Sequence, residues 1–525
     1  MAESSFTSAL SPAASQANYD PLTKKLRAGA SYATTRPSED VDTSDRPSED
    51  VDRSDDFPTS FKFGASIFDA WRRPEPVARS DFPPSFKFGA SSSALQTESY
   101  ATEGRRGHCT WDEMLGDLPA VHSLILHFLV QDTTKGPHSI NKQGVDFYNR
   151  LLDELNHNGI MPMVTLCHFD VPSALQKKYN GILGRQFVND FNDYANLCFQ
   201  LFGDKVKHWI TFNEPSVYCE SGYQYEMTGK DEPAIYPYLA AHHLLLAHAT
   251  SVKTYRDCYQ KQQNGKIGIS LVTAWFLPYS GSCHDIVYLD PIVTGDYPFS
   301  MKSIVRDRLP QFSSEEKKML EGSYDFIGVN YYTSRYTRAL PFSPNDIPVS
   351  YAKDQYVEML TEDKDGVPIG PQSEGMEFMY IAPKWLASIL VNLKTKYNNP
   401  LIYITENGYP QLIQDKTMEE ICDDQVRIDY IKDHLVSIRT ALREGVNVDG
   451  YFSWTLMDNM EVKGYYYTIG FGLHHVDIPN DFERFPKKSA FWYRKFLSGK
   501  RAPLLSEPII AKEPIMEPIN AKATV

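Results

Sequence analysis

Seven short apolar runs, separated by helical segments, constrain the fold of this chain more than any other feature. Each run has six to nine residues and is rich in β-branched and aromatic types. The runs do not alternate strictly between polar and apolar positions, which is typical of strands buried on both faces. They span residues 86–91, 163–169, 208–214, 266–272, 324–332, 401–408 and 448–456.

Amphipathic helical patterns lie between the runs. Residues 144–159 place apolar side chains at i, i+3, i+4 and i+7 and end at a glycine, and residues 424–445 form a second such segment. Alternation of strands and helices over about 400 residues predicts a parallel sheet. The closed form of such a sheet is the (β/α)8 barrel. An open doubly wound sheet is the alternative, but the chain has no glycine-rich phosphate-binding loop.

Two of the runs carry a glutamate at or near their end, Glu214 and Glu406. Because catalytic residues of (β/α)8 barrels lie at the carboxyl ends of the strands, we expect both carboxylates at one rim. Two carboxylates that flank a glycosidic bond cleave it when one protonates the leaving oxygen and the other attacks the sugar. The retaining form of this reaction needs a separation of roughly 5 Å between the two carboxyl groups. Any two strand-end glutamates are more often plain salt-bridge partners, so the pair alone does not establish this chemistry.

Charge and cysteine content exclude several other classes of function. The formal net charge of −14 argues against sequence-independent binding of nucleic acid, which needs a basic surface. The seven cysteines show no Cys-x-x-Cys spacing, so neither a disulfide framework nor a metal site is predicted. The N-terminal sequence lacks the pattern of a signal peptide, and no apolar run is long enough to cross a bilayer. We therefore expect a cytoplasmic protein with no membrane partner.

The two ends of the chain differ in composition from its centre. Residues 1–80 are polar and repetitive, which predicts a disordered extension. The heptapeptide "SFKFGAS" occurs at residues 60–66 and again at 85–91, and we expect the second copy to occupy the strand position because it leads directly into the rest of the domain. Residues 81–500 are predicted to form the catalytic domain. Residues 501–525 repeat Glu-Pro-Ile and are predicted to be an irregular tail.

Several words of the sequence occur together in an order that resembles the family-one β-glycosidases of plants. They are "SFKFGAS", "HFDVPSAL", "KHWITFNEP", "GDYPFSM", "YDFIGVNYYTSRY", "ITENG" and "GYFSWTLMDN". The resemblance implies a (β/α)8 barrel that hydrolyses a small-molecule β-glucoside with retention, without metal or cofactor. Residues 365–374 and 481–500 are most similar to plant alkaloid glucosidases that act on strictosidine or raucaffricine, which implies a bulky aglycone. Alkaloid members often carry a basic nuclear signal, whereas this tail has only Lys500 and Arg501 together.

The resemblance also implies a role for each matching residue. Glu214 is expected to be the acid/base and Glu406 the nucleophile. The expected substrate-binding residues are Asn213 for the sugar 2-hydroxyl, Gln96 and His168 for other hydroxyls, Glu461 as a hydroxyl clamp, Trp454 beneath the ring, Tyr332 orienting Glu406, and Phe471 closing the site. A lone buried histidine or tryptophan is more often a core residue, so these roles rest on the whole set.

The chain departs from the family in two places. After residues 110–114 the family has a second strand whose arginine pairs with the nucleophile, whereas residues 115–140 here are shorter and contain no arginine. Residues 124–130 are a candidate replacement strand, and the expected barrel is incomplete around this position. A family helix is also missing after residues 281–286. An unpaired Glu406 beside Glu214 is expected to have a raised pKa.

Two functions are therefore open on sequence grounds. The first is a working β-glucosidase, with a homo-oligomer left open. The second is a catalytically impaired relative that acts as a binding or interaction protein. Turnover of a chromogenic β-glucoside separates them.

Overall fold

The computed structural model describes residues 76–97, 140–224, 234–278, 289–342, 350–461, 467–480 and 482–499. Most of the predicted disordered extension, residues 1–75, lies outside the described residues, as do the tail at 501–525 and the candidate strand at 124–130. Within the described residues, no helix combines the length and the apolar character needed to cross a bilayer.

A parallel sheet forms the centre of the described structure. Its seven strands are β1 (Lys87–Ser91), β2 (Met163–Cys167), β3 (His208–Asn213), β4 (Lys266–Thr273), β5 (Phe326–Tyr331), β6 (Ile402–Glu406) and β7 (Val448–Trp454). Each strand falls in one of the seven predicted apolar runs, so the predicted sheet is confirmed. Neighbours across the sheet follow the order β1-β7-β6-β5-β4-β3-β2, and every adjacent pair is parallel.

The sheet has the strand order of a (β/α)8 barrel, with β1 and β2 at its two edges among the described residues. Residues 98–139, which lie between β1 and β2 in the sequence, are outside the described residues. The edge strand β1 and the inner strands β3, β5 and β6 also differ in burial. Every residue of β3, β5 and β6 is buried, whereas every residue of β1 is half-buried. The second "SFKFGAS" copy supplies β1, as predicted.

Long helices follow the strands, as the alternation predicts. Those of ten or more residues in the described chain are α1 (Lys142–His157), α2 (Phe187–Phe202), α3 (Pro215–Gln224), α4 (Tyr236–Tyr255), α5 (Lys384–Lys396), α6 (Gln425–Arg443) and α7 (Lys488–Leu497). The helices predicted at 144–159 and 424–445 correspond to α1 and α6. The side chain of Asn141 caps α1 by accepting a hydrogen bond from the N–H of Gln143 at 3.1 Å.

Shorter elements connect these strands and helices. The short helical segments are Arg79–Asp81, Ala94–Thr97, Ser173–Tyr179, Gly181–Leu183, Arg256–Gln260, Lys261–Gln263, Leu289–Thr294, Phe299–Val305, Arg306–Arg308, Ser314–Leu320, Tyr351–Asp354, Met418–Cys422 and Ile478–Asn480. There are also three small sheets. In the first, Arg335–Ala339 pairs with Phe276–Pro278 on one side and Val357–Leu360 on the other. In the other two, Gln411–Leu412 pairs with Ile469–Gly470, and His474–Asp477 pairs with Glu483–Pro486.

Two of the apolar clusters formed by the described residues lie in different parts of the fold. The larger lies between the sheet and the helices, where the Phe199 ring of α2 contacts Trp209 of β3 and Tyr255 of α4 at centroid distances of 5.2 and 4.8 Å. The smaller cluster includes Trp454, Phe471, Tyr409 and Tyr430. Because it contains the last residue of β7, it lies at the carboxyl ends of the strands and can floor a site there.

Candidate active site

The carboxyl ends of four strands of the sheet, β3, β5, β6 and β7, place polar and aromatic side chains at one rim. Glu214 directly follows β3, Glu406 is the last residue of β6, and Trp454 is the last residue of β7. Asn330 lies one residue before the end of β5. This arrangement is the one predicted from the sequence, because the carboxyl ends of parallel strands meet at the same edge.

Asn330 links the two predicted catalytic carboxylates. Its Nδ2 donates to Glu214 Oε1 at 2.9 Å and to the Oδ1 of Asn213 at 3.0 Å. The Asn330 amide also acts as a donor that lowers the pKa of Glu406. Its own Oδ1 accepts from the Thr405 hydroxyl at 2.6 Å, which fixes the orientation of the amide. One side chain therefore bonds to Glu214 and influences the ionisation of Glu406.

Asn330 is a site residue that reasoning from the sequence missed. The available signal is its position as a lone amide inside an apolar run, immediately before the two tyrosines of "NYY". A polar residue in a strand that is buried throughout needs partners. Those partners come from β3 and β6, which are remote in the sequence.

Glu406 is a buried carboxylate held by neutral donors. The Tyr332 hydroxyl donates to its Oε2 at 2.7 Å. Burial raises the pKa of Glu406 well above its usual range, and the charges of Glu214 and Glu461 raise it further. The hydrogen bonds from Tyr332 and Asn330 act in the opposite direction. Among the residues that the structure describes, no cation forms an ion pair with Glu406.

Glu214 occupies a different environment. Its backbone has a φ of 43°, in the left-handed region, where the chain turns from β3 into α3. Its N–H donates to the carbonyl of Ser270 on β4 at 2.9 Å, which anchors this turn. The side chain is half-buried, whereas Glu406 is only 7% exposed. A carboxylate with more access to solvent is better placed to exchange protons.

His168 and Trp454 continue the rim on the side of β2 and β7. The Nε2 of His168 lies 3.2 Å from the Nδ2 of Asn213. The imidazole stacks on the Trp454 indole with a centroid distance of 5.8 Å and an interplanar angle of 24°. Burial lowers the pKa of His168 to about 4, so the ring is neutral at pH 7 and offers one donor and one acceptor.

Glu461 is a second buried acid with a free hydrogen-bonding atom. The nearby Trp454 indole acts as a donor that lowers the pKa of its carboxyl group. Its Oε1 has no hydrogen-bond partner within the described part of the chain. Burial raises the pKa of Glu461 well above its usual range, and the charge of Asp458 adds to this. Gln96 holds the neighbouring backbone, because its Nε2 donates to the Met460 carbonyl at 2.7 Å.

A continuous series of contacts connects the nine predicted site residues. Asn213, Glu214, Tyr332 and Glu406 meet around Asn330, and Phe471 packs edge-on against Tyr332 with a centroid distance of 6.0 Å. His168 joins Asn213 to Trp454, the Trp454 indole influences the pKa of Glu461, and Gln96 bonds to the backbone carbonyl of Met460, next to Glu461. The structure brings these side chains together, while their catalytic roles and the carboxyl separation of roughly 5 Å stay predictions.

The described residues contain no group of three or more His, Cys, Asp or Glu side chains arranged to hold a metal ion. What the arrangement can do chemically is proton transfer and nucleophilic attack. Two carboxylates with different exposure are the groups for it, surrounded by neutral donors and aromatic rings. Such surroundings suit a polyhydroxylated ring with one apolar face.

This chain is similar to known proteins over most of its length. Residues 133–502 match the family described as "Glycosyl hydrolase family 1". "Beta-glucosidase 12" of Oryza sativa subsp. indica is 40% identical over 481 aligned residues, covering 80% of this chain and 93% of that protein. "Raucaffricine-O-beta-D-glucosidase" of Rauvolfia serpentina is 40% identical over 493 residues, covering 79% of this chain and 91% of that protein. The solved structure of rice Os3BGlu6 β-glucosidase matches with a TM-score of 0.76 at 32% identity, covering 80% of this chain and 99% of that chain.

The length of the alignment with the Oryza protein is evidence on the two segments that this chain lacks. The alignment spans 481 positions, which is more than the number of residues in the 80% of this chain that it covers. That relative therefore carries residues that this chain lacks, in agreement with the two gaps predicted from the sequence.

Proposed function

Because this chain belongs to glycosyl hydrolase family 1 and is a glycoside hydrolase of the β-glucosidase type, we propose that Glu406 and Glu214 are its nucleophile and its acid/base in a retaining reaction. The proposed substrates are β-D-glucosides with a bulky aglycone, with monoterpenoid indole alkaloid glucosides as the first candidates. The observation that carries the proposal is the Asn330 amide, which donates to Glu214 at 2.9 Å and lowers the pKa of Glu406.

In the first step, ionised Glu406 attacks the anomeric carbon while Glu214 gives its proton to the glycosidic oxygen. The bond between that oxygen and the sugar breaks, and the aglycone leaves as an alcohol. A covalent glucosyl ester on Glu406 remains. In the second step, Glu214 takes a proton from water, the water oxygen attacks the anomeric carbon, and Glu406 is released as a carboxylate.

The electrostatics of the pair support this division of labour. Two carboxylates that sense each other's charge share a proton, because ionising one raises the pKa of the other. The donors from Tyr332 and Asn330 oppose the rise in the pKa of Glu406 by favouring its ionised form, and we assign the shared proton to Glu214. Esterification of Glu406 removes its charge, which lowers the pKa of Glu214 and prepares it to act as the base in the second step.

Recognition of the sugar is assigned to groups that present unused hydrogen-bonding capacity. The buried Oε1 of Glu461 accepts from a sugar hydroxyl, and neutral His168 and the Gln96 amide bind others. Asn213 takes the 2-hydroxyl, where a hydrogen bond strengthens as the oxocarbenium-like transition state forms. The Trp454 indole supports the apolar face of the ring.

The aglycone assignment rests on relatives and is tested directly. One relative carries the name raucaffricine-O-β-D-glucosidase, and the resemblance of residues 365–374 and 481–500 to alkaloid glucosidases implies the same class of aglycone. The experiment compares kcat/KM for strictosidine, raucaffricine, a flavonoid glucoside and a short alkyl glucoside. We expect the alkaloid glucosides to rank first. A higher kcat/KM for the alkyl glucoside would reject the alkaloid assignment and leave the retaining mechanism intact.

Retention and turnover are tested together with 4-nitrophenyl β-D-glucoside. We expect hydrolysis by the wild-type protein, with β-glucose as the first anomer detected by NMR. Glu406→Gln is the matched control, because it keeps the shape of the side chain and removes the nucleophile. Equal rates for wild type and Glu406→Gln would overturn the proposal, and α-glucose as the first product would exclude retention.

A second candidate function is binding of glucosides without turnover. The observation in its favour is the raised pKa of Glu406, which has no ion-paired cation within the described residues. A protonated Glu406 is a poor nucleophile but still donates a hydrogen bond to a sugar. Tight binding of a glucoside by calorimetry, combined with no hydrolysis at any pH from 5 to 8, would favour this function.

A further inference from the structure

A group of buried charged side chains lies behind the sugar end of the site. We call it the ion cluster and define it as Asp424, Arg427, Asp458, His475 and Lys487. Lys487 is 0% exposed and Arg427 is 1% exposed, and the other three are also buried. These residues come from separate parts of the chain, since the start of α6 supplies two of them and the segments around residues 458, 475 and 487 supply the others.

Asp458 joins the loop that carries Glu461 to the segment that carries Phe471. Its Oδ1 accepts from Lys487 Nζ at 2.9 Å and from the N–H of Gly472 at 2.7 Å. Its Oδ2 lies 2.8 Å from His475 Nδ1. The backbones are also tightly packed, because a β-carbon placed on Gly472 would lie 2.1 Å from the backbone nitrogen of Asp458.

Arg427 holds the other side of the same segment. Its guanidinium pairs with Asp424 at 2.8 Å and donates to the carbonyls of Gly470 at 2.9 Å and Phe471 at 2.7 Å. It also donates to the carbonyl of Tyr409 at 2.5 Å, three residues after the nucleophile strand ends.

Gln411 connects the two halves of the ion cluster. Its Oε1 accepts from Arg427 at 3.1 Å and from Lys487 at 3.3 Å. The cluster therefore ties the backbone after the nucleophile strand to the backbone on both sides of Phe471.

A fully buried ion pair is a costly way to stabilise a fold. Desolvation of both charges offsets most of their attraction, and well-packed apolar side chains of similar volume often serve stability equally well. The presence of Lys487 and Asp458 is better explained by what they hold in place. Lys487 donates to Asp458, which lies three residues before Glu461, and Asp458 accepts from the N–H of Gly472, the residue after Phe471.

The charge balance points to the same pair. Burial by itself raises the pKa of Asp458, but Lys487, His475 and Arg427 outweigh it and hold that pKa below its usual range. The Asp458 charge in turn raises the pKa of Glu461. Lys487 offsets the charge of Asp458, because its Nζ lies 2.9 Å from the Asp458 carboxylate. The groups that face Lys487 are Asp458, Asp424 and Arg427, and the Cys422 thiol also senses its charge.

We propose that the Lys487–Asp458 ion pair positions Glu461 and Phe471 for the sugar, which makes Lys487 a positioning residue for glucoside binding. This inference rests on the proposed function. It assigns a role to the word "PKKSAFWY" (residues 486–493), which the catalytic proposal leaves unused.

The test compares two adjacent lysines at the start of α7. Lys487→Met removes the buried cation, whereas Lys488→Met removes a surface cation paired with Asp423 at 2.8 Å. Without Lys487, the Asp458 charge makes Glu461 easier to protonate. We expect the KM of Lys487→Met to be about tenfold above wild type near pH 6, with the acid limb of the KM profile about one pH unit higher. The Lys488→Met profile should coincide with wild type.

The double variant Asp458→Asn/Lys487→Met separates charge from packing. It removes both charges, so we expect its KM to return to within about threefold of wild type. A general loosening of the fold would instead raise KM equally at all pH values, without recovery in the double variant. Either that result or coincident profiles for the two lysine variants would overturn the proposal. If Lys487→Met does not yield folded protein, Lys487→Gln carries the same prediction.

The readout is chosen so that failure of the proposed function is distinguishable from failure of this inference. If the wild type hydrolyses no glucoside, the proposed function fails. The inference is then tested by calorimetric titration of the same variants with D-glucose across the same pH range. A Lys487→Met affinity equal to that of Lys488→Met would reject it there as well.

Discussion

Two buried carboxylates in this molecule, Glu406 and Asp458, have opposite electrostatic surroundings. Their exposures are nearly equal, at 7% and 8%. The pKa of Asp458 is held low by Lys487, His475 and Arg427 against the effect of burial. The pKa of Glu406 is raised by burial and by the charge of Glu214, and only the neutral donors Tyr332 and Asn330 oppose this. Equal burial therefore leads to opposite shifts, because the neighbouring charges differ in sign.

The contrast shows how one fold keeps one acid inert and another reactive. A carboxylate surrounded by cations stays ionised and holds its neighbours in place. A carboxylate beside a second acid shares a proton with it, and its charge changes as the reaction proceeds. Substitution of either acid, or of a side chain that contacts it, tests whether its surroundings set its behaviour.

Glu406→Gln should have the largest effect on catalysis. Loss of the nucleophile is expected to reduce kcat by a factor on the order of 10⁴ to 10⁶, with folding intact. Steady-state kinetics with 4-nitrophenyl β-D-glucoside, together with circular dichroism of the same samples, measures this. A loss of less than tenfold in folded protein would show that Glu406 does not attack the sugar.

The loss of activity in Glu214→Gln should depend on the leaving group of the substrate. For an alkyl glucoside, which needs protonation to leave, we expect kcat/KM to fall by about 10² to 10⁴. For 2,4-dinitrophenyl β-D-glucoside, which leaves without a proton, formation of the glucosyl enzyme should change little. Pre-steady-state bursts with the two substrates measure the difference. An equal loss on both would contradict the acid/base role.

Asp458→Asn should destabilise the protein, because it leaves buried Lys487 without its partner. We expect a loss of about 3 kcal/mol in the free energy of unfolding at pH 7. The folded-state pKa of Asp458 is lowered. The stabilisation of the fold by ionised Asp458 is therefore present above the usual aspartate pKa and is lost as pH falls through the lowered value. Urea unfolding at pH 7 and pH 3 checks this, and a loss that grows toward pH 3 would contradict it.

Glu406→Gln supplies the opposite case for stability. The folded-state pKa of Glu406 is raised, so its ionised form costs stability as pH rises through that value. The variant should therefore be more stable than wild type at pH 8, by about 1 kcal/mol, with the difference shrinking toward pH 4. If Glu406→Gln and Asp458→Asn shift stability in the same direction at pH 8, the contrast between the two acids is wrong.

Tyr332→Phe should have the smallest catalytic effect. It removes a 2.7 Å hydrogen bond that favours the ionised form of Glu406, so the pKa of Glu406 should rise further. We expect kcat/KM to fall by about tenfold at pH 6 and the acid limb of its pH profile to move upward. Above that limb the difference from wild type should narrow. A downward shift of the limb would contradict the assigned direction of the hydrogen bond.

The strands and the acid pair could be predicted from the sequence because both depend on local order. Apolar runs such as residues 208–214 and 401–408 predict buried strands. The position of a strand then determines where a glutamate at its end lies. Asn330 and the ion cluster could not be found this way. Asn330 acts through the relative position of β3, β5 and β6, and Lys487 acts through contacts with Asp458 and Gln411. Such pairings depend on packing between distant segments, which no local pattern contains.

Trapping the sugar covalently on the enzyme is the most direct test of the assignment of Glu406 as nucleophile. Incubation with 2,4-dinitrophenyl 2-deoxy-2-fluoro-β-D-glucoside, followed by intact mass and peptide mapping, locates any covalent adduct. We expect one fluoroglucosyl group per chain, attached to Glu406, with release of one equivalent of dinitrophenolate and no adduct in Glu406→Gln. An adduct on another residue, or steady hydrolysis of ordinary glucosides with no trapped species, would contradict the assignment.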